Sequence, residues 1–130
     1  DIIVTPDNKV VVAGDGKIFT SSNLFTSSPS WNEFYFDEFR DARQLFLMSD
    51  ESVLALGPGT GMRSNTNVDG WPSTYTTPNN TYVFARRDET TFYGVSQTGR
   101  LYYSSNSGST WNTAADVAIS GLPVGGYVVE

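Results

Sequence analysis

The chain has 130 residues and a net charge of −6, with 38% hydrophobic, 14% aromatic and 17% charged residues. This composition is typical of a folded domain, and the acidic balance argues against nucleic acid as a partner because phosphate binding needs a basic surface. Cysteine and histidine are absent, which argues against disulfides, thiolate metal sites and the usual general base.

Strand and turn signals alternate from the first residues onward. Short apolar runs in the first unit predict strands at 2–4, 9–13, 17–21 and 31–36. The turns between the first three strands contain Pro6-Asp7-Asn8 and Gly14-Asp15-Gly16, residue types that accept the positive φ of tight hairpins. The first unit is therefore predicted to be four consecutive antiparallel strands.

The same order of strands and turns occurs twice more. Strands of the second unit are predicted at 45–47, 53–56, 62–64 and from Trp71. Strands of the third unit are predicted at 82–84, 91–95, 100–104 and from Trp111. The units span approximately 1–40, 41–80 and 81–118 within a single segment, 1–130. The run 126–130 has the pattern of a further first strand, and we interpret the charged segment 37–43 as a linking loop with room for one helical turn.

Four landmarks recur in register across the three units. Tryptophan recurs at a constant spacing of 40 residues, while aspartate, glycine and serine recur in the first turn, in the second turn and at the end of the third strand. The matched sets are Trp31, Trp71 and Trp111; Asp7, Asp50 and Asp88; Gly16, Gly59 and Gly99; and Ser21, Ser64 and Ser104. Because a catalytic residue would break the repeat, we interpret the recurring aspartates as turn-forming residues.

The stretch that ends at the third tryptophan resembles a known motif. It is similar to the Asp-box, Ser-x-Asp-x-Gly-x-Thr-Trp, of the BNR repeat family that occurs in sialidases and sortilin-type receptors. Ser104, Gly108, Thr110 and Trp111 match the motif, and Asn106 stands where the family usually has aspartate. The resemblance covers the whole chain as a repeat, but this is the one strong copy of the motif.

The other two copies are degenerate. The second keeps Ser64 and Trp71 at the same spacing, with Val68 in the position of the motif glycine. The first keeps Ser21 and Trp31 and has three extra residues between them.

The resemblance implies an all-β fold, a β-propeller-like array of three four-stranded antiparallel blades. It implies a structural role for the motif residues, with the asparagine closing the turn and the tryptophans packed between adjacent blades. Propellers typically have four to eight blades, so a longer chain or association of copies would have to close the ring. The further first strand predicted at 126–130 favours a longer chain, because a closed pair of copies would have no place for it. Because proteins that contain the motif have unrelated activities, it does not identify a ligand.

We therefore predict a non-catalytic propeller module for binding or assembly. Its partner would be a protein, further blades or a glycan, and it would belong to a larger secreted, cell-surface or virion protein. No cofactor, bound metal or membrane insertion is predicted, since the sequence has no calcium-ligand ladder and no apolar run long enough to cross a bilayer.

The alternative is a fragment of a propeller glycoside hydrolase, either sialidase-like or xyloglucanase-like. Such an enzyme would use paired carboxylates, or a cluster of arginines that binds a substrate carboxylate. The available arginines are Arg63, Arg86, Arg87 and Arg100, but the Arg-Ile-Pro start typical of sialidases is absent. We expect these arginines to be solvated or paired with acidic neighbours.

Two further possibilities concern binding without catalysis. A lectin would use exposed aromatic side chains, for which the candidates are Tyr75, Tyr102, Tyr103, Phe36 and Phe39. A calcium site would take oxygens from Asp15, or from Asp37, Glu38 and Asp41. Asn79-Asn80-Thr81 is an N-glycosylation sequon on a predicted loop.

Overall fold

The computed structural model describes residues 1–37 and 41–118. Over these residues the chain folds into twelve strands, arranged as three four-stranded antiparallel sheets, and contains no helix. The predicted all-β fold of three four-stranded antiparallel units is confirmed. The predicted strand at 126–130 lies outside the described residues, and so do residues 38–40 of the predicted linking loop.

Each sheet is a meander in which strands adjacent in sequence pair with one another. The first sheet contains β1 (Ile2–Val4), β2 (Val10–Gly14), β3 (Lys17–Ser21) and β4 (Asn32–Tyr35). The second contains β5 (Gln44–Leu47), β6 (Val53–Gly57), β7 (Thr60–Arg63) and β8 (Ser73–Tyr75). The third contains β9 (Thr81–Arg86), β10 (Phe92–Ser96), β11 (Arg100–Ser104) and β12 (Asn112–Ala118).

The fourth strand of each sheet begins one or two residues later than the sequence predicts. Trp31, Trp71 and Trp111 precede these strands instead of opening them. Each tryptophan belongs to the turn before its strand. The direction of its ring is therefore not set by the alternation of side chains along the strand.

The hairpins between second and third strands depend on the predicted glycines. Gly16, Gly59 and Gly99 have φ values of 68°, 80° and 79°, in the left-handed region that glycine adopts without steric cost. The preceding Asp15 has a φ of 54°. The recurring glycine therefore reflects the backbone conformation of this turn.

The second sheet is buried on both faces. Side chains alternate along β6, so that Val53 and Ala55 join the first sheet in one apolar cluster, the first core. Leu54 and Leu56 join the third sheet in another, the second core. All four side chains are fully buried. The three sheets therefore pack face to face, in chain order, with one core on each side of the second sheet.

The first strands of successive sheets also lie against one another. Strand β1 contacts β5, and β5 contacts β9. The backbone N–H of Leu45 donates to Asp1 Oδ2 over 2.8 Å, and the backbone N–H of Phe84 donates to Gln44 Oε1. Leu45 and Phe84 hold the same register position, opposite β6 and β10 respectively. One hydrogen-bonding arrangement therefore joins the first sheet to the second and the second to the third.

Candidate functional site

The turn that follows β11 is closed by side-chain hydrogen bonds. The buried Ser104 hydroxyl donates to Asn106 Oδ1 over 2.9 Å and accepts from the backbone N–H of Gly108 over 2.9 Å. Asn106 Oδ1 also accepts from the Thr110 backbone N–H over 2.9 Å, and Asn106 Nδ2 donates to the Thr110 hydroxyl over 2.8 Å. Gly108 has a φ of 81°. The residues singled out in the sequence thus form one connected turn.

Trp111 packs this turn against its own sheet, the third, and against the second sheet. Its indole N–H donates to the Gly108 carbonyl over 3.0 Å, and its ring meets Phe84 edge-on with 5.6 Å between centroids. The ring packs against the second core, which contains Leu54 and Leu56 of the second sheet. A Cβ atom on Gly108 would lie 3.3 Å from Leu54 Cδ2. The turn of the third sheet therefore packs on the second sheet.

The equivalent turn of the second sheet, which follows β7, has a different arrangement of hydrogen bonds. The Ser64 hydroxyl accepts from the Val53 backbone N–H over 2.8 Å and donates to the Asn65 carbonyl over 2.8 Å. Asn65 exchanges bonds with Asp69, donating to its carboxylate over 2.5 Å and accepting from its backbone N–H over 3.2 Å. An asparagine one residue earlier than Asn106 in the motif therefore bridges this turn.

Val68 and Trp71, in the turn between β7 and β8, are both part of the first core. Val68 has a φ of 54°, a conformation that is unfavourable for a β-branched residue, and its side chain is 2% exposed. Trp71 is 9% exposed, and its ring centroid lies 6.4 Å from that of Phe34 in the first sheet. Burial of the valine side chain against the first sheet accompanies the strained backbone.

The equivalent turn of the first sheet, which follows β3, contains an asparagine that sequence reasoning missed. The Ser21 hydroxyl donates to Asn23 Oδ1 over 3.2 Å, and that oxygen accepts from the Ser30 backbone N–H over 2.8 Å. This reproduces the arrangement around Asn106, because Ser30 precedes Trp31 as Thr110 precedes Trp111. The sequence signal for this turn is the Ser-x-Asn pair, which begins both turns. It is hard to recognise in the first sheet because three extra residues lie before Ser30.

The outer face of the first sheet, which points away from the second sheet, carries an open apolar patch beside the ion pair of Lys17 and Glu33. Trp31 is 43% exposed, and with Val12 and Phe19 it lines an open pocket of about 240 Å³. On the same face Ile2 is 61% and Tyr35 63% exposed. Trp31 thus differs from Trp71 and Trp111: among the described residues no sheet packs on it.

Asp88 stabilises the turn that connects β9 to β10. Its Oδ1 accepts from the backbone N–H groups of Thr90 and Thr91 over 3.0 and 2.8 Å, and from the Thr90 hydroxyl over 3.0 Å. These hydrogen bonds, chiefly from the backbone N–H groups, lower the pKa of Asp88 from 3.8 to about 2. The carboxylate is therefore held in its ionised form by the turn itself.

The equivalent aspartates are bonded in a similar way. Asp7 accepts from the Thr5 hydroxyl, and this bond, with a second one from Lys9, lowers the pKa of Asp7. Asp50 accepts from the Ser52 hydroxyl over 2.5 Å and from its backbone N–H over 3.0 Å, and the hydroxyl bond is the largest cause that lowers the pKa of Asp50. All three carboxylates close the turn after the first strand of their sheet.

The candidate arginines pair with acidic groups of these turns. Arg63 Nη2 lies 3.0 Å from Asp50 Oδ2, and Arg86 Nη1 lies 3.6 Å from Glu89 Oε1. Arg87 Nε lies 4.0 Å from Asp88 Oδ2. Arg100 is exposed at the start of β11. The paired guanidinium groups thus belong to the turn structure of the second and third sheets.

The remaining candidates are dispersed over the fold. Phe36 is buried in the first core, Tyr75 packs against the second core, Tyr102 is half-buried and Tyr103 is exposed. Phe39 and Glu38 lie outside the described residues. Asp37 accepts from the Thr60 hydroxyl over 3.1 Å, Asp41 accepts from the Gly16 backbone N–H over 2.5 Å, and Asp15 lies in a hairpin turn. Over 1–37 and 41–118, no three acidic, cysteine or histidine side chains form a group able to hold a metal ion.

Comparison with protein-family models, curated proteins and solved structures gives no match to this chain. Within the described residues no helix is long and apolar enough to cross a membrane. Two features of the molecule bear on its function, the repeated turns and the outer face of the first sheet.

Proposed function

We propose that the chain is a non-catalytic assembly module of the β-propeller type, in which each sheet is one blade and the repeated turns are Asp-box turns. The observation that carries this proposal is the exposed apolar outer face of the first sheet. The corresponding faces of the second and third sheets are buried in the first and second cores. An apolar patch of this kind, left open on one sheet, is suited to docking.

The repeated contact between sheets supports the assignment of blades. Strands β1, β5 and β9 adjoin in succession, as the inner strands of propeller blades would. The backbone N–H groups of Leu45 and Phe84, which donate to Asp1 and Gln44, lie at equivalent register positions of their sheets. A contact that repeats in this way propagates a regular array, because each sheet meets its neighbour with the same geometry.

The apolar pocket favours a protein partner over a glycan. Its lining consists of Val12, Phe19 and Trp31. A sugar presents many hydroxyl groups, and a site for it needs polar groups that fix its orientation in addition to an aromatic platform. Burial of Trp31 beneath another protein surface requires no such groups.

The use of the ionisable groups supports a non-catalytic role. Asp7, Asp50 and Asp88 occupy one turn position in three sheets and accept hydrogen bonds from their own turns. Arg63 also contacts one of these turns, through Asp50 and Ser52. These groups are engaged in holding strand connections, a role that the repeat requires in every sheet.

The proposal is tested with a fluorescent dye that binds exposed apolar surfaces, combined with light scattering behind a sizing column. The wild-type chain either binds the dye as a monomer or forms a larger species that binds little. Trp31→Arg is expected to reduce dye binding by the monomer, and to dissociate any larger species. Thr76→Arg, at an exposed loop position, is the matched control and changes neither quantity. A wild-type monomer that binds no dye would contradict the proposed assembly role.

A further inference from the structure

The outer face of the first sheet matches, at six apolar positions, the face through which the second sheet packs on the first. The second sheet contributes Leu45, Val53, Ala55, Met62, Val68 and Trp71 to the first core. By strand register and turn position, their counterparts in the first sheet are Ile2, Val10, Val12, Phe19, Phe25 and Trp31. All six counterparts are apolar; Val10 is buried within the sheet, whereas Phe25 is 86% exposed. The first sheet thus carries the apolar residues of an inter-sheet contact, with the ion pair of Lys17 and Glu33 beside them.

The third sheet carries the complementary pattern on its own outer face. Phe84 and Phe92 point into the second core, so alternate residues along these strands point to the opposite side. There lie Tyr93 and Val95 of β10, which correspond in register to Leu54 and Leu56 of β6. Tyr103 of β11 shares this face and is exposed. In the second sheet, the equivalent residues Leu54 and Leu56 pack on the third sheet.

We propose that the outer face of the first sheet docks on the outer face of the third sheet of a second copy of this chain. This inference deepens the proposed assembly role and rests on it, because it names the partner. The contact reproduces, between two chains, the face-to-face packing already present between successive sheets of one chain. It is heterologous, since two different surfaces meet, and two such contacts between two copies close a ring of six sheets.

Interface size favours the closed pair over an open chain of copies. A sheet of four strands about 4.8 Å apart, with about five residues at about 3.3 Å each, has a footprint of about 300 Å². Stable interfaces bury about 800 Å² of accessible surface on each partner. A single contact of this size is weak, whereas a ring makes two contacts per copy and both must break for dissociation. A six-sheet ring also lies within the four to eight blades of known propellers.

The experiment measures the molar mass of the full chain by light scattering over a wide range of protein concentration. The wild-type chain is expected at twice 14.2 kDa. Trp31→Arg alters one docking face and Tyr103→Arg the other, and each is expected to weaken association at least about 30-fold, the effect of losing a hot-spot aromatic. Thr76→Arg lies in a loop and is expected to leave the mass unchanged. Circular dichroism checks that every variant is folded, and Phe25→Arg replaces Trp31→Arg if the latter is not.

The outcomes separate this inference from the proposed function. Loss of the two-copy species in both face variants supports the head-to-tail contact. Loss in Trp31→Arg with retention in Tyr103→Arg overturns it, since the outer face of the first sheet would then meet another surface; the assembly role would stand. A wild-type monomer that binds the apolar dye also overturns it, and it leaves the face open for a different protein. A monomer that binds no dye overturns both.

Discussion

The side-chain oxygen of Gln44 in the second sheet accepts a hydrogen bond from the backbone N–H of Phe84 in the third sheet, 40 residues further along the chain. Asp1 accepts from Leu45 in the same way, between the first and second sheets. Because Leu45 and Phe84 are equivalent in register, these bonds set the same approach of one sheet to the next. They hold the first strands of neighbouring sheets together while the apolar cores hold their faces.

Replacement of Gln44 tests how much this link contributes. Gln44→Ala leaves the Phe84 N–H without its side-chain acceptor, and we expect a loss of about 1–2 kcal/mol in the free energy of unfolding. Gln44→Glu keeps an acceptor oxygen and should lose less than half of that amount. Urea unfolding at neutral pH measures both values. Equal losses in the two variants would show that the acceptor oxygen is unimportant.

Asn106 is expected to be the main stabilising side chain of the turn between β11 and β12. Asn106→Ala removes its bonds to Ser104 and Thr110 and should lower the free energy of unfolding by about 1–2 kcal/mol. Asn106→Asp preserves the acceptor oxygen and is expected to stay within about 0.5 kcal/mol of the wild type. Asn112→Ala, at an exposed position of the neighbouring strand, is the control for general loss of an amide. A loss in Asn112→Ala as large as that in Asn106→Ala would argue against the special role of Asn106.

Asn23 should behave as Asn106 does, although the motif is scarcely visible around it. Asn23→Ala removes the acceptor for Ser21 and Ser30, and we expect a loss of about 1 kcal/mol in unfolding free energy. The exposed neighbour Ser22→Ala is the matched control and should be nearly neutral. If Asn23→Ala is as stable as Ser22→Ala, the structural equivalence of the first and third turns has no energetic consequence.

Gly14 and Gly57 occupy the same register position in β2 and β6 but have different surroundings. A Cβ atom on Gly57 would lie 2.5 Å from the Asp41 carbonyl oxygen and 3.1 Å from the Phe36 ring, whereas one on Gly14 would meet nothing within 4 Å. Gly57→Ala should therefore cost about 1–3 kcal/mol through overpacking, and Gly14→Ala should stay within about 0.5 kcal/mol. Thermal and urea unfolding provide the comparison. Equal stability of the two variants would mean that the Phe36 ring and the Asp41 carbonyl do not lie against Gly57 as described.

Stability should fall in acid because of the turn aspartates. The pKa of Asp88 is about 2 in the folded chain and 3.8 without the turn, so the unfolded chain binds more protons between these pH values. The stabilisation is present above pH 3.8 and is lost as the pH falls through about 2. The lowered pKa values of Asp7 and Asp50 act in the same direction. Asp88→Asn cannot ionise, and its unfolding temperature should therefore decline less steeply from pH 4 to pH 2 than that of the wild type. An identical decline would exclude Asp88 as a source of the acid sensitivity.

Local features of this fold follow closely from the sequence. The order of strands and turns, the glycines with positive φ and the turn role of the recurring aspartates depend on contacts within a few residues, which spacing reveals. The asparagine of the first turn was missed because three inserted residues separate Asn23 from its partner Ser30. The fourth strands start after each tryptophan, whereas the sequence predicts them to start at it, because an aromatic residue at the end of a turn resembles the first residue of a strand.

The sequence by itself determined three similar four-stranded units, because hairpins form from neighbouring residues whose periodicity and turn chemistry are local. Only the tertiary structure decided which of the three tryptophans are covered. Trp31, Trp71 and Trp111 recur at one constant spacing, yet Trp71 is 9% exposed and Trp31 43%. The burial of a ring depends on the face of a different sheet, supplied from far along the chain. That contact is non-local, and the pattern around any one tryptophan contains no record of it.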